Sequence, residues 1–200
     1  MRRKILRENI QTNFIFKIIL LTLGNLIKTK DMFKTYKQFK NGGKALIHEL
    51  IDKKKPDYKN ILSIACEFAK QGKIAKLTPI LHHKSEEYKD IYRILSGTKY
   101  DWKCPDLKID NLFYEYESFT PPFSGKKLRR MLSHGAKQSS RIIINNNKGA
   151  SDTYIRRYIH IRLVQKQNLN EVWVYERGTI RLMFKKQHPD KIRVCNGADP

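Results

Sequence analysis

The sequence predicts an α+β fold, with N-terminal helices followed by a mixed sheet built in the order ββαβαββ. Three observations predict it. Apolar residues recur at helical spacing in Tyr58–Lys70, alternate in Pro105–Ser118, and bunch in the short run Arg141–Asn145 (RIIIN). Two hundred residues suffice for one ordinary domain, and ten Tyr and nine Phe supply a core that disordered chains lack.

Taken in order, residues 1–31 read as an N-terminal extension outside the fold. Their apolar run, Phe14–Ile27, follows a basic start like the h-region of an export signal. Lys17 interrupts that run, no small-residue cleavage site follows, and it falls short of the roughly 20 residues that span a bilayer. No stable membrane insertion is expected. Met32 opens an ordinary cytoplasmic start, with export as the alternative.

Residues 32–100 read as a helical region. Gly42-Gly43 opens a helix over about Lys44–Lys53, Pro56-Asp57 starts the helix Tyr58–Lys70, and Glu86–Leu95 forms a third, stopped by Ser96-Gly97. Residues 101–187 form the α+β core. Pro105–Ser118 (PDLKIDNLFYEYES) folds as a hairpin about Asp110-Asn111. Lys126–Gln138 is a basic helix with Leu128, Met131 and Leu132 inward, followed by the strand RIIIN. Ser151-Asp152 caps a helix to about Gln167, and EVWVYE and TIRLMFKK pair across Arg177-Gly178. Residues 188–200 are polar without period and read as a flexible tail. Three cysteines with no CxxC spacing suggest neither a disulfide framework nor a zinc site.

Charge narrows the function. The chain holds 41 Lys and Arg against 19 Asp and Glu, a formal net charge of +22. Residues 1–31 account for +5 of it, so the folded body is itself basic. Such a balance argues against a small-molecule enzyme and for a polyanionic partner. Within it lies an acidic spot. With the turn at Asp110-Asn111, Asp106 opposes Glu115, and strand alternation puts Asp106, Glu115 and Glu117 on one face. Leu107, Ile109, Leu112, Tyr114 and Tyr116 take the buried face. Opposed like charges destabilise a hairpin, so the trio calls for a cation, raised pKa values or wide exposure.

PDLKIDNLFYEYES, the basic helix ending Ala136-Lys137-Gln138-Ser139-Ser140 and the strand RIII together resemble the C-terminal tRNase domain of bacterial contact-dependent inhibition toxins, the CdiA family. The likeness covers roughly residues 104–186. It departs at Glu117, where that family usually carries Lys. The same order is similar to the core of PD-(D/E)xK nucleases. The resemblance implies a nuclease-like core that hydrolyses nucleic acid, most of all tRNA. It implies Asp106 and Glu115 as metal ligands, Glu117 as a third ligand or base, and Gln138 as a supporting polar contact. Carboxylate ligands suit Mg²⁺. A toxin-like role implies an acidic immunity protein as partner.

A metal-free ribonuclease route stands beside it, in which the RNA 2′-OH is the nucleophile. Glu115 or Glu117 then serves as base, His134 as acid, and Lys137 or Arg141 as phosphate clamp. Lys126, Lys127, Arg129 and Arg130 on one helix, and Arg156 and Arg157 on the next, are candidate phosphate contacts. Two further readings remain open: a metal-dependent DNase, and a non-catalytic nucleic-acid-binding protein with a structural acidic cluster.

Overall fold

A computed structural model describes residues 32–118, 124–147, 149–165 and 168–186. The extension 1–31 and the tail 188–200 therefore lie outside the described residues, as does Cys195. The elements run β1 (Phe33–Gln38), β2 (Lys44–His48), α1 (Tyr58–Lys70), β3 (Ile74–Leu77), α2 (Glu86–Tyr92, continued by a 3-10 turn), β4 (Leu107–Ile109) and β5 (Leu112–Glu117). They continue with α3 (Gly125–Gln138), β6 (Arg141–Asn145), α4 (Asp152–Val164), β7 (Glu171–Glu176) and β8 (Thr179–Lys185). The fold is mixed α+β. Its eight strands form one sheet whose spatial order follows chain order from β1 to β8. Parallel neighbours occur at β2/β3, β5/β6 and β6/β7; the other pairs are antiparallel. Each parallel pair is bridged by a helix, as the long crossover requires.

The expected helical region is the main correction. Phe33–Gln38, Lys44–His48 and Ile74–Leu77 are strands, and β3 pairs directly onto β4, so the sheet crosses the expected boundary near residue 100. The helix expected over 44–53 is β2. Ala45, Leu46, Ile47 and His48 are all buried, so both strand faces are covered and the alternation that marks a strand is erased. Gly43 does not start a helix. It lies where α1 crosses the sheet, and a Cβ there would sit 1.9 Å from the Ala69 carbonyl oxygen. Only glycine permits that approach, because backbone cannot yield as a side chain would. Gly43→Ala is expected to cost about 1–3 kcal/mol, the range of an overpacked core. A thermal melt checks it, and an unchanged midpoint would show that the crossing has room.

The β6 alternation shows how the layers divide. Ile143 packs with α1 residues Ile64, Ala65 and Phe68, together with Leu107, Ile109, Tyr114 and Tyr116. Ile142 and Ile144 pack with Leu128 and Leu132 of α3, Ile155 and Ile159 of α4, and Val172 and Val174. Thus α1 covers one face of the sheet and α3 with α4 covers the other. Phe68 is fully buried, with its ring 5.0 Å from Trp173 and 5.9 Å from Tyr114. A third cluster seats Tyr88, Ile91 and Tyr92 of α2 against Phe113. Among the described residues no helix is long and apolar enough to cross a membrane.

Candidate active site

The β4–β5 hairpin has the register the sequence implies: Leu107 pairs with Tyr114, Lys108 with Phe113 and Ile109 with Leu112. Asp110 takes a positive φ of 52° at the turn. Leu107, Ile109, Tyr114 and Tyr116 are buried, while Leu112 at the turn is exposed. The carboxylate face differs from a solvated surface. Phe113 lies buried on it, and α3 covers its far end, because Gly135 lets the helix approach β5. A Cβ on Gly135 would meet Ile142 at 3.1 Å and Glu117 Cγ at 3.2 Å.

Asp106 is held just before β4. Thr78 N–H donates to its carbonyl at 3.0 Å, and Tyr116 N–H donates to Oδ2 at 3.1 Å. Burial pushes its carboxyl up to about 6, against the Tyr116 hydrogen bond and the Lys55 charge. Glu115 sits deeper. Its Oε2 is buried with no hydrogen-bond partner, while its carboxylate also accepts a backbone hydrogen bond from Asp106. Burial first, then repulsion from Asp106 and Glu117, raises the Glu115 carboxyl far above the usual carboxylate range. Glu117, with its side chain 12% exposed, has Oε1 2.7 Å from His134 Nδ1. Burial raises this carboxyl too, and the His134 contact opposes the rise.

Glu115, Glu117 and His134 each offer an atom within 4.8 Å of the others, a spacing one cation can bridge. Asp106 adjoins the group through the Tyr116 backbone. An orphaned buried carboxylate oxygen beside two more carboxylates and an imidazole fits a divalent ion: the oxygens suit Mg²⁺ or Mn²⁺, and the imidazole widens the choice to Mn²⁺ and Zn²⁺. The same Glu117–His134 pair also fits an acid–base couple, since a carboxylate fixes the orientation and tautomer of the ring it binds.

No family model matches the chain, and no curated protein or solved structure does. The likeness to CdiA tRNase domains therefore rests on the short motifs quoted above, and the chemistry rests on the geometry.

The other expected residues are spread more widely. Lys137 and Gln138 close α3 and make no hydrogen bond to the three carboxylates. Arg141 alternates with Ile142 on β6, so it lies on the α1 face, opposite Glu115 and Glu117. Its backbone and one guanidinium nitrogen bond Ser139 and Ser140, which removes it as a clamp at the carboxylates. Lys126, Arg129 and Arg130 project from α3 into an open groove, while the Lys127 backbone N–H is taken by the Ser124 cap. Arg156 is tied to the Met183 carbonyl of β8 at 2.8 Å, and Arg157 is exposed on α4.

Two residues that the sequence reading passed over join the site from the loop before α1. Lys55 and Asp106 line the same cavity, of about 110 Å³, with Tyr58 and Thr78. The Lys55 charge opposes the upward shifts of both Asp106 and Glu115. Asp57 occupies the N-cap position of α1 without capping it. Its Oδ1 instead accepts a hydrogen bond from Ser118 Oγ at 3.2 Å, and its charge adds to the repulsion on Asp106 and Glu117. In the sequence both sit in Lys53-Lys54-Lys55-Pro56-Asp57, a charge run and helix start with no local sign of a site.

Proposed function

We propose that the protein is a nuclease that cleaves RNA, with tRNA the favoured substrate, at the Asp106–Glu115–Glu117–His134 cluster. The observation that carries this reading is the buried, unpartnered Glu115 oxygen, held beside two further carboxylates in a strongly basic chain. Such a group is costly as it stands and is stabilised by a cation or a proton. The order of strands and helices over residues 107–185, with the acidic residues on its first hairpin, supports the nuclease-like core.

In the metal-assisted route Glu115, Glu117 and His134, with Asp106, would hold a divalent ion, which would supply charge stabilisation at the reacting phosphate and a more acidic attacking water. The chain's own groups then have defined tasks. Lys55, beside Asp106, meets the negative charge of the phosphate, and the Glu117 carboxylate sets the orientation of the His134 ring. The cover of α3 over Glu117, and the burial of Glu115, leave these two carboxylates less screened by bulk water than surface charges are.

The 2.7 Å Glu117–His134 contact favours a second, metal-free reading on RNA. There the 2′-OH attacks its own phosphate, Glu117 takes the hydroxyl proton, and His134 delivers a proton to the leaving 5′-oxygen. The two routes separate on one set of reactions: full-length protein with tRNA and with duplex DNA, each with Mg²⁺, with Mn²⁺ and with EDTA. Cleavage of tRNA that stops with EDTA is the expected result. Cleavage of tRNA that persists in EDTA assigns the metal-free route. DNA cut alone replaces the RNA assignment with the DNase one. No cleavage of either leaves a nucleic-acid-binding protein with a structural acidic cluster.

A further inference from the structure

Away from the carboxylates, α3 and α4 frame an open groove of about 500 Å³, lined by Lys126, Arg129, Arg130, Ser133, Arg162 and Gln165. Four of the six are cations and none is acidic. Among the described residues none of the four makes an ion pair. Arg162 is fixed in place: Nη2 donates to the Arg129 carbonyl at 2.9 Å and Nη1 to Gln165 Oε1 at 2.9 Å. Ser133 Oγ donates to the same Arg129 carbonyl at 2.9 Å. The Arg162 Nε is buried and has no partner. Burial and the neighbouring Arg129 charge both disfavour the Arg162 cation, so the groove holds like charges together at a cost to the free protein.

We propose that this groove binds the phosphodiester backbone of RNA, holding the phosphates that flank the one at the acidic cluster. Lys126 to Ser133 covers about two turns of α3, roughly 10 Å, which a chain of phosphates follows and a single anion does not. Arg130 stands four residues before His134, one turn or about 6 Å along the same side of the helix. A strand whose reacting phosphate lies at His134 therefore passes over Arg130 as it enters the groove. Arg162, fixed by its bonds to Gln165 and the Arg129 carbonyl, adds a held positive charge to the groove, and Lys126, Arg129 and Arg130 supply the exposed cations that reach the phosphates.

The proposal rests on the nuclease reading for the direction of the strand, and binding can be read without cleavage. The test uses full-length Glu115→Gln protein and a fluorescein-labelled single-stranded 20-nucleotide RNA, with anisotropy titrations from 50 to 300 mM KCl. Arg129→Glu/Arg162→Glu is compared with Lys84→Glu/Lys99→Glu, the same charge change at exposed positions elsewhere. The groove variant is expected to bind at least about tenfold more weakly and to lower the slope of log K against log salt by about 1–2, as lost phosphate contacts do. The control is expected to lose no more than a few-fold. Lys126→Ala/Arg130→Ala, which removes only exposed side chains, guards against a folding defect at Arg162 and is expected to share the loss of slope. Equal losses in groove and control variants, or no RNA binding at all, overturn the proposal. So does binding to phosphatidylserine vesicles that is lost in the groove variants while RNA binding is kept. If the groove variants lose RNA binding and the protein with Glu115 intact cleaves nothing, the groove stands and the nuclease reading falls.

Discussion

Glu115→Gln is expected to abolish cleavage while making the protein more stable. The two effects share one cause. Glu115 places a carboxylate in a buried position with one oxygen unpartnered, next to Asp106 and Glu117. A protein selected for stability alone keeps no such charge there. The neutral amide keeps the shape and removes the repulsion, so unfolding free energy rises by at least about 1 kcal/mol, which moves the midpoint of a domain this size by about 2–4 °C. Activity falls by about 10²–10³-fold or more, the scale on which losing one electrostatic stabiliser of a transition state is felt. The sign of the pH dependence follows from the raised folded value. Between the unfolded value near 4.3 and the raised folded one, the folded state binds more protons than the unfolded state, so stability falls as pH rises across that window. The gain from Glu115→Gln is therefore larger at pH 8 than at pH 5, measured in EDTA. Adding Mn²⁺ is expected to raise the wild-type midpoint by mass action and to leave the variant nearly unmoved. A variant that melts lower than wild type at pH 8, or that still cleaves, removes Glu115 from the site.

How much of this was legible depends on whether the deciding contacts were local. The β4–β5 hairpin is a local object. A two-residue turn and strict alternation set its register, and from that register the convergence of Asp106, Glu115 and Glu117 followed. Helix α1 was readable from its start signal and apolar stripe, α2 from its stop at Ser96-Gly97, α3 from the stripe Leu128, Met131 and Leu132, and α4 from its Ser151-Asp152 cap. The strands β1 to β3 were not. β1 is exposed along nearly all its length and carries no apolar alternation, β2 is buried on both faces, and β3 takes its partners β2 and β4 from distant parts of the chain. His134 was legible only as a histidine near the motif. That its ring reaches Glu117 depends on Gly135 admitting α3 so close to β5. Arg141 was legible as a cation next to the motif, yet strand alternation turns it to the other face. Lys55 and Asp57 were not legible at all, since the sequence separates them from Asp106 by about fifty residues and only the packing of the loop before α1 joins them.

Lys55→Ala is the second expected result, and it tests whether that loop belongs to the chemistry. β5 carries no cation beside Glu115 and Glu117, because the position after Tyr116 is itself acidic. Lys55 is the positive charge that acts on both Asp106 and Glu115, and it lines the cavity at Asp106. Its neighbours Lys53 and Lys54 are exposed members of the same run and serve as controls. Removing the Lys55 ammonium is expected to lower kcat/KM about 10²-fold, as losing one charged contact to a reacting phosphate does, whereas Lys53→Ala and Lys54→Ala stay within about twofold of wild type. The pH profile separates a direct role from a structural one. Lys55 lowers the carboxyl pKa values it faces, so its loss raises them, and the acidic limb of the activity profile shifts to higher pH. Lys55→Arg keeps the charge and is expected to restore the limb even where the longer, planar head recovers only part of the rate. A rate loss without any shift of the limb would mean that Lys55 acts on the substrate alone. An unchanged rate would return the loop to plain solvated surface and leave the carboxylates to depend on a bound cation for all of their neutralisation.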